Sequence, residues 1–201
     1  MSTLNDPKDH GFPDNFTVID RAQVAMLRDL ASSESRLVLK GGMAMRIVVG
    51  TDRLTKDVDF DRAQDLATNA VKANVRKALT RGATSAQLLQ SSVDEIKATP
   101  TTVRMRLSGI AAGDRVRFVV EVSGRSPPEG DQYARVTVIP PVRYGIAPFS
   151  INAYTHDMLA ASKLLAIMSP LRNVPRDVYD LDALAASQPE SILRRQIARD
   201  V

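Results

Sequence analysis

Apolar residues recur first at helical spacing: Ile19, Ala22, Val24, Met26, Leu27 and Leu30 fall on one side of a helix spanning 19–31. The all-apolar run Leu37-Val38-Leu39 predicts a short buried strand, and residues 42–49 predict a helix directly behind it. In 57–60 the pattern alternates, Asp57 and Asp59 against Val58 and Phe60, which predicts a strand with one apolar face. Residues 64–81 read as a long polar helix with Ala, Val and Leu at helical spacing, stopped by Gly82. The stretch 83–99 has no clean period; we read it as helical, ended by Pro100. Two alternating runs, 102–107 and 115–122, joined through Ala112-Gly113-Asp114, predict a hairpin. Gly124, Pro127, Pro128 and Gly130 make 123–131 a loop, and 135–139 reads as an edge strand ended by Pro140-Pro141.

From Tyr154 the helical period returns. Thr155 can cap a helix with Asp157 in its first turn, and Leu159, Ala160, Lys163, Leu164 and Ile167 follow at helical spacing. Pro175 opens a helix over 176–186, and 190–199 predicts a third. The expected fold class is α+β: a small mixed sheet flanked by helices over 1–150, with 1–18 a loose lead-in, then a helical part over 151–201.

A chain of 201 residues with 44% apolar content can bury a proper core as one domain with a helical annex. The absence of cysteine excludes disulfides, thiolate metal sites and cysteine nucleophiles. His10 and His156 alone cannot build a histidine-rich zinc site. Aromatics at 4% argue against rows of base-stacking platforms. No apolar run is long enough for a membrane helix and residues 1–15 hold no secretory core, so a cytoplasmic protein with no membrane partner is expected. A net charge of +4 is modest but fits a polyanionic partner, chiefly if the cations cluster. The densest basic region is Arg53, Lys56, Arg62, Lys72, Arg76, Lys77 and Arg81. It reads either as a solvated helix face or as a guide for an RNA backbone.

The chemistry concentrates in two short motifs. On a strand, Asp57 and Asp59 point the same way, and two carboxylates on one face repel unless a cation sits between them. Mg²⁺, as one or two ions, takes such oxygens and brings phosphate with it. A dozen residues earlier, Lys40-Gly41-Gly42 ends an apolar run; glycines there let backbone N–H groups approach a phosphate, with a helix start behind them. Each motif alone reads blandly, one as a solvated strand end and the other as a turn. Together, and in this order, they suit a metal–nucleotide complex.

These residues carry a family resemblance. Lys40-Gly41-Gly42 followed by Arg53-Leu54-Thr55-Lys56-Asp57-Val58-Asp59-Phe60 resembles the AbiEii/AbiGii toxin family of type IV toxin–antitoxin and phage-defence systems, which has a nucleotidyltransferase fold. Where that family carries a hydroxyl residue after the glycines, this chain has Met43; Thr55 keeps a hydroxyl nearby. The resemblance implies a nucleotidyltransferase-like core and transfer of a nucleoside monophosphate from an NTP to an acceptor hydroxyl, with release of pyrophosphate. The implied acceptor is RNA, foremost the 3′ end of tRNA, and an antitoxin protein is the implied partner. It also implies a third carboxylate on a later strand. Glu121, within Phe118-Val119-Val120-Glu121-Val122, is the candidate metal ligand, with a solvent-facing glutamate as the plain alternative.

Further on, Lys163 matches a family lysine on the first helix after the sheet, and Arg176-Asp177-Val178-Tyr179-Asp180-Leu181 matches a later segment; Arg172 adds a nearby cation. The resemblance implies that Lys163 contacts phosphate and Asp177 orients it, with Asp180 a second candidate. Without it, Lys163 reads as a lysine snorkelling from an apolar face. The implied site is thus Asp57, Asp59, Lys163 and Asp177 for catalysis, Lys40, Gly41, Gly42, Arg53 and Thr55 for the nucleotide, and Asp57, Asp59 and Glu121 for metal. Two rivals stand beside it: the same chemistry on a small molecule or protein hydroxyl, and a degenerate copy, marked by Met43, that binds RNA or a partner without turnover.

Overall fold

In a computed structural model that describes residues 1–169 and 175–187, the chain divides into two compact units, Met1–Thr155 and His156–Val201. The first unit holds strands β1 (Ser2–Thr3), β2 (Leu37–Lys40), β3 (Asp57–Arg62), β4 (Leu89–Thr99), β5 (Thr102–Ala111), β6 (Asp114–Ser123), β7 (Tyr133–Ile139) and β8 (Phe149–Tyr154). Its helices are α1 (Asp14–Ser33), α2 (Gly41–Val48) and α3 (Thr68–Ser85). The strands join in one mixed sheet ordered β1-β7-β8-β2-β3-β6-β5-β4. The second unit holds α4 (His156–Met168) and α5 (Pro175–Ser187). The expected α+β class holds. The helix expected over 190–199, and Arg172, lie outside the described residues.

Period-two alternation decides which side of the sheet becomes core. Leu39, Phe60, Val122 and Val103 lie side by side across β2, β3, β6 and β5, and all are buried. Val58, Val120 and Met105 form the next row. Helices α1 and α3 pack on each other and on this sheet, with Val24, Met26, Leu27 and Leu30 of α1 buried as their spacing predicts.

Several expectations need correction. Gly82 does not end the helix before it. Helix α3 runs on to Ser85; a Cβ at position 82 would stand 2.6 Å from the Ala22 carbonyl oxygen, so the glycine admits a close crossing with α1. Residues 89–99, read as helical, form β4. This strand is the sheet edge and is exposed along nearly its whole length, so it lacks an apolar face that could reveal a strand period. Pro100 and Thr101 form the turn into β5 rather than a helix stop. Strand β7 is not an edge: β1 pairs with it on one side and β8 on the other. Residues 1–18 are not loose. They contain β1, a 3-10 turn at Pro7–His10 capped by the Asp6 side chain, and the first turn of α1.

Candidate functional site

On the face opposite the core, the same register sets Lys40, Asp59, Glu121 and Arg104 in a row across β2, β3, β6 and β5. All four are half-buried. Asp57 shares the face one step along, with Val119 and Arg106 in its row. The sequence alternation that hides Val58 and Phe60 therefore turns both aspartates outward together.

The electrostatics of this row are strained. Burial pushes the Asp59 carboxyl up to about 6; Lys40 opposes that shift, while the like charges of Asp57 and Glu121 add to it and Arg104 lowers it slightly. Glu121 leans toward Arg104, with Nε 3.7 Å from its carboxylate. Among the described residues no group of three or more His, Cys, Asp or Glu side chains gathers as a ready metal cage. Asp57 and Asp59 nevertheless fit a hard divalent cation. They are two oxygen donors on one face, one of them held in a partly dehydrated, anion-rich position, and Mg²⁺ commonly takes only one or two carboxylates and completes its shell with phosphate and water.

The glycines have a geometric reason that their sequence did not reveal. A Cβ on Gly41 would stand 2.6 Å from Asp59 Oδ2, and one on Gly42 would stand 2.6 Å from Arg53 Nη2 and 3.2 Å from Thr55 Oγ1. Gly41 also has φ +67° and is the first residue of α2. The start of α2, Asp59, Arg53 and Thr55 thus converge on one spot. A helix start offers unpaired N–H donors and the positive end of its dipole.

Other expected residues have local duties. Lys40 Nζ donates to Asp61 Oδ1 at 2.7 Å, and the Tyr154 hydroxyl donates to Asp61 Oδ2 at 2.8 Å. Burial first, then the bond to Asp61, drives the Tyr154 hydroxyl above the usual tyrosine range. The Thr55 hydroxyl donates to the Asp57 carbonyl at 3.0 Å and accepts from the Asp57 N–H at 3.3 Å, fixing the backbone of the first aspartate. Gln23 of α1 holds the same segment through the Thr55 carbonyl at 2.8 Å. Met43 is buried in the core, so the position of the family's hydroxyl residue faces away from solvent. Sequence reading missed Asp61, Gln23 and Tyr154. Asp61 continues the alternation of Asp57 and Asp59 and was legible on that ground; Gln23 and Tyr154 are remote in sequence and left no signal.

Much of the basic region around α3 is engaged in anchoring. Arg62 is buried and donates to the carbonyls of Leu66 and Pro100. Lys72 pairs with Glu95 at 2.8 Å, Arg76 donates to the Val93 carbonyl at 3.1 Å, and Arg81 pairs with Asp29.

In the second unit Lys163 is buried and shared by two acids, 2.9 Å from Asp177 Oδ1 and 2.6 Å from Asp180 Oδ2. The helical spacing that placed Lys163 on α4 and both aspartates on α5 is therefore realised as an ion-pair cluster. His156 Nε2 lies 2.7 Å from Ser187 Oγ in the same unit. Among the described residues no helix is long and apolar enough to cross a membrane.

Residues 25–200 match the family described as nucleotidyl transferase AbiEii toxin of the type IV toxin–antitoxin system. No curated protein matches the chain in sequence. Two crystal structures share its fold. One is JHP933 from Helicobacter pylori, with TM-score 0.65 and 19% identity over 87% of this chain and 68% of that one. The other is an H. pylori protein provisionally assigned as a nucleotidyltransferase, with TM-score 0.64 and 18% identity over 87% of this chain and 70% of that one.

Proposed function

This chain belongs to the AbiEii family of nucleotidyl transferase toxins, and we propose that it transfers a nucleoside monophosphate from an NTP to a hydroxyl at the 3′ end of RNA, with tRNA the foremost acceptor. Nucleotidyl transfer and a toxin–antitoxin setting, hence a cognate antitoxin, come with the family; the acceptor, the metal and the residue roles are our reading. The observation that carries it is the contact of Gly41 with Asp59, which brings the acidic pair to the start of α2.

Asp57 and Asp59 would hold the divalent cation, Mg²⁺ by the chemistry of its hard-oxygen donors, and Glu121 would join them by exchanging Arg104 for the ion. When bound, such a cation supplies charge for the α-phosphate and acidifies the acceptor hydroxyl. The backbone N–H groups of Gly41 and Gly42 donate to phosphate oxygens at the helix start. Arg53, lying against Gly42, neutralises the same phosphates. Thr55 keeps Asp57 in register, and Lys40 is a fixed positive charge beside Asp59, held by Asp61. Lys163, oriented by Asp177 and Asp180, serves phosphate as a point charge. The acceptor oxygen bonds to the α-phosphorus as the bridging bond to the β-phosphate breaks. Pyrophosphate carries off the bonding pair, and the hydroxyl proton passes to water. Most of the rate gain is positioning and electrostatics.

The test is incubation with α-labelled NTPs against separate RNA, protein and small-molecule pools, with Asp57→Ala alongside. Label entering RNA in the wild type, and none with Asp57→Ala, is expected. Label confined to another pool would overturn the acceptor. Growth inhibition that survives Asp57→Ala would turn the reading toward the non-catalytic copy.

A further inference from the structure

A wide opening in the first unit lies beside the aspartates, not over them. A groove of about 620 Å³ runs between the start of α1 and the β5–β6 hairpin, lined by Lys56, Arg106, Arg115 and Arg117 together with Asn15 and Phe16. Lys56, Arg115 and Arg117 are exposed and Arg106 is half-buried. Unlike Lys72, Arg76 and Arg81, none of these four makes an ion pair or side-chain hydrogen bond among the described residues. The acids nearby are Asp94, opposite Arg106 on β4, and Asp114, at the hairpin turn beside Arg115 and bonded to the Asn15 amide at 3.3 Å.

The cations are ordered relative to Asp57. Lys56 precedes it in the chain. Arg106 occupies its row two strands away, about 10 Å at the usual strand spacing. Arg117, opposite Ser108, and Arg115, opposite Ile110, follow on the same face, each one period further from that row, in steps of about 7 Å. A single small anion does not need such a line of charges; a chain of phosphates does. One more feature suits nucleic acid rather than an acidic polypeptide. Phe16, half-buried and 6.0 Å in ring-centroid distance from Phe12, lines the groove, where an aromatic ring can take a base.

We infer that this groove holds the single-stranded 3′ segment of the RNA acceptor, with phosphates along Arg115, Arg117 and Arg106 and the terminal ribose delivered past Lys56 to Asp57. The inference rests on the nucleotidyl-transfer reading for its direction, but binding can be measured without turnover. The experiment is fluorescence anisotropy of a labelled single-stranded RNA oligomer on the full chain over a salt series, for wild type, the triple variant Arg106→Gln/Arg115→Gln/Arg117→Gln, and Phe16→Ala. The triple variant is expected to bind at least about tenfold more weakly and to flatten the log affinity–log salt slope by about 2, from some 0.7 per lost phosphate contact. Phe16→Ala is expected to weaken binding by about tenfold with the salt slope unchanged. Lys77→Gln on α3 serves as the neutral comparison. Wild-type affinity in the triple variant, or tighter binding of polyglutamate than of RNA by the wild type, overturns the groove. If circular dichroism shows the triple variant unfolded, Phe16→Ala decides, and unchanged affinity there overturns it equally. Groove-dependent binding without label transfer to RNA would keep the groove and defeat the transfer reading instead.

Discussion

A Cβ on Gly41 would stand 2.6 Å from Asp59 Oδ2, so the first residue of α2 and the second aspartate share one volume. Gly41 also has φ +67°, where an L side chain costs about 1–2 kcal/mol. Gly41→Ala must therefore displace the Asp59 carboxylate or the start of α2. We expect loss of transfer by about a hundredfold, as for other displacements near 1 Å, with a modest fall in melting temperature. Label incorporation beside a thermal melt checks it; a folded, fully active Gly41→Ala protein would remove the reason given for the glycine.

Asp59 is held in a position that opposes its own charge. Its folded pKa of about 6 lies above the unfolded value of about 3.9. Between these values the folded state binds the extra proton, so this group's contribution to stability falls as pH rises through the window and is lowest above it. The ceiling of the penalty at pH 7 is on the order of 3 kcal/mol. In metal-free protein, Asp59→Asn should thus be more stable than wild type at pH 7, with the gap closing toward pH 4, while transfer is lost. Urea titrations at the two pH values without divalent cations measure this. An asparagine variant less stable at pH 7 would contradict the strained-carboxylate account.

Sequence patterns revealed those parts of the fold whose two faces differ in polarity. Val58 and Phe60 against Asp57 and Asp59 gave both the strand and its orientation, and Phe118, Val120 and Val122 against Glu121 did the same for β6. Strand β4 was illegible because an exposed edge needs no apolar face; its pairing with β5 decides its conformation. Strand β8 was missed because Ser150 and Asn152 interrupt a short run. Gly82 misled because a glycine ends helices and also admits close helix crossings, and only the Ala22 carbonyl distinguishes the two. In the site, the acidic pair was legible from alternation. The partners of Lys40 were not, since Tyr154 reaches Asp61 across 93 positions of chain.

That same contact yields a prediction about Lys40. Asp61 is buried, and its two oxygens are taken by Lys40 at 2.7 Å and Tyr154 at 2.8 Å. Tyr154→Phe removes one donor from a buried carboxylate and should cost about 1–3 kcal/mol. Asp61→Asn should leave Lys40 less constrained beside Asp59 and lower kcat more than it raises KM for the NTP. Melts and steady-state kinetics of both variants check the pair. Wild-type kcat with Asp61→Asn would make the network structural only.

Lys163 presents the hardest choice between support and chemistry. It is buried with Asp177 and Asp180, and loss of a buried ion-pair partner typically costs about 3–5 kcal/mol. Lys163→Met should therefore lower the melting temperature whatever its role. The distinguishing quantity is KM for the NTP in the folded protein, measured at a temperature well below the melt. A phosphate contact made by the ammonium predicts a rise of about tenfold or more, since hydrogen bonds to charged groups are worth about 1.5–3 kcal/mol. Asp177→Asn keeps the ammonium and should raise KM less while destabilising the α4–α5 pair. A large fall in melting temperature with KM unchanged in both variants would show that the cluster binds the two helices and leaves the phosphates to Arg53 and the start of α2.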